Sequence, residues 1–204
     1  AKTTLVESGS QLGGTTTTGG VSFPGIFHAW GKQVIGGIGW ELVMEAVNHN
    51  DDILPNFSII PNNTTIRHWR HQVTVNPALY ALIAEEKCVD AGVNIHYYET
   101  PTSIEFKDGK WFVKTVGKGL RNEIICDQII DCTGNATAAS IAGFKLLREE
   151  DTQPGSFVFR IGGYDLEKLD LSKIPKEYHS RLKQNMLINS DVKVESSVNN
   201  FPPT

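Results

Sequence analysis

A short β-branched run at the start of the chain ends in an acidic residue and leads into glycines. Residues 2–6 have the composition of a strand, Glu7 follows at their carboxyl end, and Gly13 and Gly14 lie in the turn-rich segment beyond. In nucleotide-binding α/β folds, an acidic side chain at such a strand end accepts a hydrogen bond from a ribose hydroxyl, about 20 residues after a glycine-rich phosphate loop. A strand that ends in a polar residue and a turn explains the same pattern without a ligand. The start of the chain therefore favours an α/β fold, with ribose binding at Glu7 as a hypothesis.

A second apolar run, far downstream, also breaks into a turn of small residues. Residues 128–132 have the composition of a buried strand in a parallel sheet, and Thr133 and Gly134 begin the turn that follows. The alanine-rich residues 136–142 then favour a helix. Because open α/β sheets bind ligands at the carboxyl ends of their strands, we expect Glu7 and Gly134 to lie close together along one nucleotide groove.

Between these two segments the sequence predicts two helices. A helical pattern begins at Ile38 and ends near residue 49, and the clearest helix covers residues 77–91. Asn76 is a suitable N-cap, and Gly92 supplies the left-handed residue that ends this second helix. Its packing stripe is predicted to consist of Leu79, Leu82, Ile83 and Val89.

The strands that follow are predicted to form a crossover and an antiparallel insertion. Residues 93–98 read as a strand, so the helix before them completes an α/β crossover. Three short antiparallel strands are expected next, with Asp108 and Gly109 as the first hairpin turn. Their predicted bounds are residues 103–106, 111–116 and 123–126.

Five motifs keep a common order and spacing across nearly the whole chain. They are V-E-S-G-S-Q-L-G-G-T-T-T-T-G-G-V at 6–21, G-G-I-G-W-E-L-V at 36–43, N-P-A-L at 76–79, D-C-T-G-N-A at 131–136 and Q-P-G-S-F-V-F-R at 153–160. In these motifs the chain resembles the bacterial FAD-dependent oxidoreductases with the glutathione-reductase-type flavin fold.

The resemblance implies a fold and a domain organisation. The fold class is α/β: a partial Rossmann-like FAD-binding domain, residues 1–150, with a parallel sheet and a three-stranded antiparallel insertion. Residues 151–204 would begin a second α+β domain that covers the flavin, with a strand at 156–161 and a helix at 175–187. The G-x-G-x-x-G unit would precede Ala1, and a late segment would complete the flavin site. We therefore expect a fragment that holds FAD weakly or not at all by itself.

The resemblance also assigns residues to FAD. It implies that Glu7 binds the adenosine ribose and that the amides of residues 13–15 face the cofactor. Thr102, at the end of the strand after Gly92, would meet the adenine through its main chain. Thr133 and Gly134 would lie near the pyrophosphate, where a turn of small residues permits close approach. Many relatives carry Asp where this chain has an uncharged Asn. The predicted cofactor-binding residues are Glu7, Ser8, Gly13, Gly14, Thr15, Thr102, Thr133, Gly134 and Asn135.

No catalytic acid stands out, and the candidates for substrate binding are cationic. Arg67, His68, Arg70 and His71 would form a clamp for a substrate carboxylate, or else an edge strand with alternating exposed basic residues and Trp69 facing the core. Arg160 would stabilise reduced flavin, or else form a surface salt bridge.

The glycine-rich stretch between residues 13 and 39 also has two interpretations. Residues 16–20 and 36–39 would contact the flavin ring through their main chains, or the stretch would be a flexible surface loop. His28 and Trp30 lie within it, and a single histidine in a loop is more often structural than catalytic.

Composition limits the partners. Lys and Arg number 19 against 23 Asp and Glu, a net charge of −4, so neither nucleic acid nor an anionic membrane is an expected partner. No apolar stretch reaches the ~18 residues of a membrane span, and the expected location is cytoplasmic, with an upstream secretory signal as an alternative. The three cysteines are too far apart for a C-x-x-C pair and are expected to be buried thiols, and no zinc motif is present.

The leading function is an FAD-dependent oxidoreductase that transfers a hydride from an unidentified small-molecule substrate to flavin. The alternative is a non-catalytic binding or scaffold domain that keeps the flavoprotein architecture without the cofactor. An NAD-dependent dehydrogenase would also use Glu7. It fits less well, because the antiparallel insertion resembles the flavin fold more closely. The sequence does not indicate the electron acceptor or the oligomeric state.

Overall fold

A computed structural model describes residues 1–58, residues 71–148 and Val158. A single 3-10 turn, Gly14–Thr16, follows the first strand. The strands and helices, in chain order, are β1 (Thr4–Glu7), β2 (His28–Ala29), β3 (Lys32–Gln33), α1 (Ile38–His49), α2 (Pro77–Asp90), β4 (Asn94–Tyr97), β5 (Thr100–Lys107), β6 (Lys110–Val116), β7 (Arg121–Cys126) and α3 (Thr137–Ile141).

Strands β1 and β4 form a parallel pair, with Thr4 opposite Asn94 and Glu7 opposite Tyr97. Parallel neighbours need a crossover connection, and α2 supplies the helical part of it. The Tyr97 hydroxyl donates a hydrogen bond of 2.5 Å to Glu85 Oε2, which fastens β4 to α2. Burial, together with this bond to a carboxylate, raises the pKa of Tyr97 well above its usual value. The predicted crossover is confirmed.

Helix α2 begins and ends as its sequence predicts. Asn76 Oδ1 accepts hydrogen bonds from the amides of Ala78 and Leu79, and Gly92 follows the helix with a φ of +72°.

The packing stripe of α2 differs from the prediction. Ile83 is 3% exposed, whereas Leu82 is 63% and Val89 is 60% exposed. The helix packs against α1 and β4, and the face that meets α1 carries Ile83 rather than Leu82. The apolar pattern alone did not distinguish this face from the one that carries Leu82.

The main core lies where α1 meets α2 and the segments around β2. Val43, Ala46 and Val47 are the buried face of α1, and they pack with apolar side chains from distant parts of the chain. The other buried members of this cluster are Phe27, Val73, Val75 and Ile83.

Strands β5, β6 and β7 form an antiparallel meander, as the sequence predicts. Asp108 and Gly109 both have positive φ, +52° and +79°, which is the backbone of a two-residue hairpin turn that matches the twist of the strands. A second core forms where α3 packs on this sheet, with Ile104, Val113 and Ala138 at its centre.

The buried parallel strand predicted at residues 128–132 is wrong. This segment forms no strand in the structure, and Ile130 is 86% exposed. Among the described residues the parallel sheet consists of β1 and β4 alone, and residues 128–132 pair with neither strand. Cys132, predicted to be a buried thiol, is exposed for the same reason, whereas Cys88 and Cys126 are half-buried.

The strand and helix predicted at 156–161 and 175–187 lie outside the described residues, apart from Val158. In the part of the chain that the structure describes, no helix is long and apolar enough to cross a membrane.

Candidate functional site

Glu7 lies at the carboxyl end of β1 with one carboxylate oxygen engaged. Its Oε1 accepts a hydrogen bond of 2.6 Å from the amide of Gly9 and a longer one, 3.4 Å, from Ser8 Oγ. Oε2 accepts no hydrogen bond from the described residues, and the side chain is partly exposed. The local turn therefore orients the carboxylate and leaves an acceptor at the end of a parallel strand.

The segment after Glu7 is a compact turn, which contradicts the flexible-loop interpretation for residues 13–21. The amides of Thr16, Thr17 and Gly19 donate to carbonyls within the turn, and Thr17 Oγ1 donates to the carbonyl of Leu12 over 2.7 Å. Thr16 and Thr17 are buried. A Cβ on Gly13 would lie 2.5 Å from Thr17 Cγ2, so this glycine is required by the turn itself.

The exposed side of the same turn carries main-chain donors. Gly13, Gly14 and Thr15 are exposed, and the φ angles of the two glycines are +102° and +45°. Among the described residues, no acceptor pairs with the amides of Gly14 and Thr15. Successive amides in such left-handed backbone form concavities that bind anions. The space beside Gly14 is open, because a Cβ there would meet nothing within 4 Å.

Thr102 occupies a β-bulge in β5. The register runs from Pro101 opposite Thr115 to Ser103 opposite Lys114, so Thr102 has no partner in β6. Its hydroxyl donates to the carbonyl of Lys114 over 3.2 Å. The sequence placed Thr102 at the end of the strand after Gly92, which is wrong, since that strand ends at Tyr97. The bulge nevertheless leaves its main chain outside the ladder.

The turn at residues 133–136 is organised by Asp131. Its Oδ1 accepts from the amide and the hydroxyl of Thr133, at 2.9 and 2.7 Å, and its Oδ2 accepts from the amide of Ala139 at 2.9 Å. Asp131 thereby caps α3 from outside the helix. Gly134 and Ala136 have φ angles of +82° and +58°, so the turn is left-handed at both positions. Asn135 Oδ1 accepts a hydrogen bond from Thr137 Oγ1, and this bond does not use the NH2 group of the Asn135 side chain.

Acidification is expected to loosen this turn. The hydrogen bonds from Thr133, followed by the one from Ala139, lower the pKa of Asp131. Their stabilising contribution is therefore present above the ordinary carboxyl pKa of 3.8 and is lost as the pH falls through the lower pKa of the folded state. The protection factors of the amides of residues 133–139 against hydrogen exchange should fall in Asp131→Ala and, in the parent chain, at acid pH. Asp127→Ala, an exposed carboxylate that pairs with Lys110, is the control and should leave this exchange unchanged. Equal rates in both variants would contradict the role of Asp131.

The end of β1 and the 133–136 turn both contact the chain around β5. The amides of Tyr98 and Glu99 donate to the carbonyls of Gly9 and Glu7, both over 3.1 Å, so the end of β1 rests on the β4–β5 junction. The 133–136 turn is tied to the same strand through Ala138 of α3. No hydrogen bond joins Glu7 to Gly134 in the described residues, and the proximity of these two residues stays a prediction.

Two histidines lie in an aromatic cluster that the sequence did not predict. The His28 ring stacks on Phe57 with centroids 3.7 Å apart and lies edge-on to Trp40 at 5.0 Å. His71 is fully buried, with its ring 5.9 Å from that of Phe57. Burial, followed by repulsion from His71, lowers the pKa of His28.

His71 was predicted as part of a clamp for a substrate carboxylate or of an edge strand, and the structure buries it. Aromatic residues near glycines were the only sequence signal for the cluster. The other cationic candidates, Arg67, His68, Arg70 and Arg160, lie outside the described residues. Within the described ranges, no group of three or more His, Cys, Asp or Glu side chains could hold a metal ion.

Comparison with protein families decides the family of this chain. The model of the family described as FAD dependent oxidoreductase matches residues 1–202. The chain belongs to the FAD-dependent oxidoreductase family. Its cofactor is FAD, and the predicted family is confirmed. A search of curated proteins found no match.

The residues of this FAD-dependent oxidoreductase fit the cofactor on two independent points. The Glu7 carboxylate presents a free oxygen at the end of a parallel strand, as a ribose hydroxyl requires. The exposed amides of Gly14 and Thr15 are donors of the kind that phosphate oxygens accept. Both groups lie on the short segment that directly follows β1.

Proposed function

We propose that this FAD-dependent oxidoreductase holds the adenosine half of FAD at the carboxyl end of the β1–β4 pair. The observation that carries the proposal is the partly exposed Glu7 carboxylate, already oriented by Gly9, at that strand end. In this assignment Glu7 Oε2 accepts a ribose hydroxyl, and the amides of Gly14 and Thr15 donate to phosphate oxygens. Ser8 lies beside Glu7, and its hydroxyl donates a second hydrogen bond to Glu7 Oε1.

The remaining cofactor contacts are proposed in β5 and in the turn before α3. The main chain of Thr102, which the bulge removes from the ladder, meets the adenine. Thr133 and Gly134 approach the pyrophosphate, and Asn135 lies beside them with an amide group that Thr137 does not use. The open space at Gly134, where a Cβ would meet nothing within 4 Å, allows a ligand to come close to the main chain.

We propose hydride transfer from a small-molecule substrate as the reaction. When bound, FAD supplies the hydride acceptor, and the protein supplies orientation, electrostatics and exclusion of water. Arg67, His68, Arg70, His71 and Arg160 stay as candidates for binding an acidic substrate. Of these, His71 is buried in the core beside Phe57, so a role for it requires access through the neighbouring residues. Residues 151–204 are proposed to begin the domain that covers the flavin.

Removing the Glu7 carboxylate is expected to weaken binding of FAD and of ADP alike. A hydrogen bond to a charged group contributes about 1.5–3 kcal/mol, so Glu7→Ala should reduce both affinities about tenfold or more. Binding is measured by quenching of flavin fluorescence for FAD and by calorimetry for ADP. Glu123→Ala, an exposed carboxylate in β7, is the matched control and should bind both ligands like the parent.

The pair of ligands makes this test specific. ADP carries the ribose and phosphates without the flavin. If Glu7→Ala lowered the affinity for FAD alone, Glu7 would contact a part of FAD that ADP lacks. Equal affinity of Glu7→Ala and the parent for both ligands would contradict the assignment.

A further inference from the structure

Glu99 is a buried carboxylate at the junction of β4 and β5, and it belongs to none of the predicted cofactor contacts. Its Oε2 accepts a hydrogen bond of 2.5 Å from Thr115 Oγ1, and its Oε1 accepts one of 2.9 Å from Asn122 Nδ2. His96 Nδ1 lies 3.2 Å from Oε1. One carboxylate therefore ties together β4, β6 and β7.

The main chain of Glu99 reaches the end of β1. Its amide donates to the carbonyl of Glu7 over 3.1 Å, and the neighbouring amide of Tyr98 donates to the carbonyl of Gly9 over the same distance. These two bonds continue the β1–β4 pairing beyond its last residue pair, Glu7 and Tyr97. The side chain and the amide of Glu99 thus connect the meander directly to the backbone that carries the Glu7 carboxylate.

The backbone at this junction is held in an unfavourable conformation. Tyr98 has a φ of +58°, a left-handed value that bulky residues rarely adopt. Such conformations persist where surrounding contacts determine them, and they are frequent at ligand sites. Gly117 packs so close that a Cβ there would lie 2.7 Å from the Tyr98 carbonyl oxygen. Steric contact with Gly117 restricts the backbone of Tyr98, and the hydrogen bonds of Glu99 hold the next residue in place.

Stability alone is a poor explanation for a charge at this position. Buried ionic groups are often replaced by well-packed apolar residues without loss of stability, because removing a charge from water is costly. Hydrogen bonds from Thr115, and then from Asn122, nevertheless keep Glu99 ionised, with a pKa below its usual value. What the carboxylate supplies in addition is a defined geometry between the meander and β1.

We propose that Glu99 is a positioning residue for the adenosine end of the cofactor, acting through the backbone of Glu7. The proposal rests on the proposed function, in which the Glu7 side chain takes the ribose. With Glu99 held by Thr115 and Asn122, the Glu7 carbonyl is anchored and its carboxylate is presented in one orientation. Without these contacts the end of β1 moves, and the same carboxylate binds ribose less well.

A double-mutant cycle with ADP as ligand tests the proposal, because ADP requires no flavin contact. Glu99→Gln, which keeps the shape and removes the charge, should weaken ADP binding about fivefold in the chain with an intact Glu7. In the Glu7→Ala background the same substitution should cause no further loss, since no carboxylate is left to position. Glu105→Gln, a matched change at an exposed glutamate of β5, should alter neither affinity.

Amide hydrogen exchange supplies a readout that needs no ligand. The amides of Tyr98 and Glu99 should exchange faster in Glu99→Gln than in the parent, whereas those of α1 should not change. Thr115→Val, which removes one donor and leaves the charge, is a milder variant if Glu99→Gln does not fold. It should show the same pattern with a smaller loss of affinity.

The outcomes separate this proposal from the proposed function. If Glu99→Gln weakens ADP binding equally with and without the Glu7 carboxylate, Glu99 acts on the whole fold and positioning is overturned. Unchanged exchange at Tyr98 and Glu99 would overturn it as well. If the parent chain binds no ADP, the proposed function fails and the cofactor role of Glu99 fails with it. Faster exchange of the Tyr98 and Glu99 amides in Glu99→Gln would then show that Glu99 stabilises the β4–β5 junction without a role in cofactor binding.

Discussion

Replacing Ile83 by alanine is expected to lower the free energy of unfolding by about 3 kcal/mol, whereas the same change at Leu82 should alter it by less than about 0.5 kcal/mol. Ile83 is 3% exposed and packs in the main core with α1, so truncation loses its burial and leaves a cavity. Leu82 is the next residue toward the helix start and is 63% exposed. Alanine suits a helix slightly better than either residue does, so propensity does not explain the difference.

Urea denaturation followed by far-UV circular dichroism measures both values. The two variants remove side chains of equal size from adjacent positions, so each is the control for the other. A larger loss for Leu82→Ala than for Ile83→Ala would show that the packed face of α2 is the one that the apolar stripe predicts. The structure, with Ala81 and Ile83 buried, would then be wrong for this helix.

A methyl group at Gly117 is expected to lower the free energy of unfolding by about 2 kcal/mol, which is typical of overpacking. A Cβ on Gly117 would lie 2.7 Å from the Tyr98 carbonyl oxygen and 2.9 Å from Glu99 Cγ. The first of these atoms belongs to the backbone and cannot rotate away. We therefore expect the β4–β5 junction to shift, and ADP affinity to fall together with stability if Glu99 positions Glu7.

Gly36→Ala is the control for this steric effect. A Cβ at Gly36 would meet only Gln33 Nε2 at 3.6 Å, an ordinary contact distance. Replacement of glycine by alanine restricts the unfolded chain, so this variant should be neutral or slightly stabilised. Thermal unfolding of both variants compares them directly. A Gly117→Ala protein as stable as Gly36→Ala would show that the contact between residues 98 and 117 is looser than described.

These substitutions probe two parts of the oxidoreductase that differ in their relation to FAD. The α1–α2 core contains none of the residues proposed for the adenosine end of FAD, and its variants should change unfolding while leaving ADP affinity per folded molecule unchanged. The β4–β5 junction touches the end of β1 through Glu99, so its variants should change both quantities. Measurement of stability and affinity on the same variants therefore separates loss of fold from loss of the site.

Local sequence signals predicted most elements correctly where the interactions that form them are short-range. The N-cap at Asn76, the glycine after α2 and the Asp108–Gly109 turn each depend on backbone geometry within a few residues. The same holds for the position of Glu7 at a strand end. Family membership, too, followed from motifs spread along the chain, and the family match over residues 1–202 confirms it.

Features that depend on a distant neighbour were predicted poorly. The apolar residues of 128–132 predicted a buried strand, but a strand also needs a partner, and within the described residues this segment pairs with neither β1 nor β4. Leu82 was placed in the packing stripe because periodicity identifies apolar faces without saying which one meets α1. His71 was counted among the candidates for substrate binding, although Phe57 and the surrounding core bury it.

By itself the sequence determined that this chain is an α/β protein of the FAD-dependent oxidoreductase family with an acidic residue at a strand end. These properties reside in residue types and their spacing. Only the tertiary structure decided which face of α2 is buried, and that Glu99 links the meander to Glu7. Both are contacts between residues far apart in the chain, and their existence depends on the packing of whole elements, which no local pattern encodes.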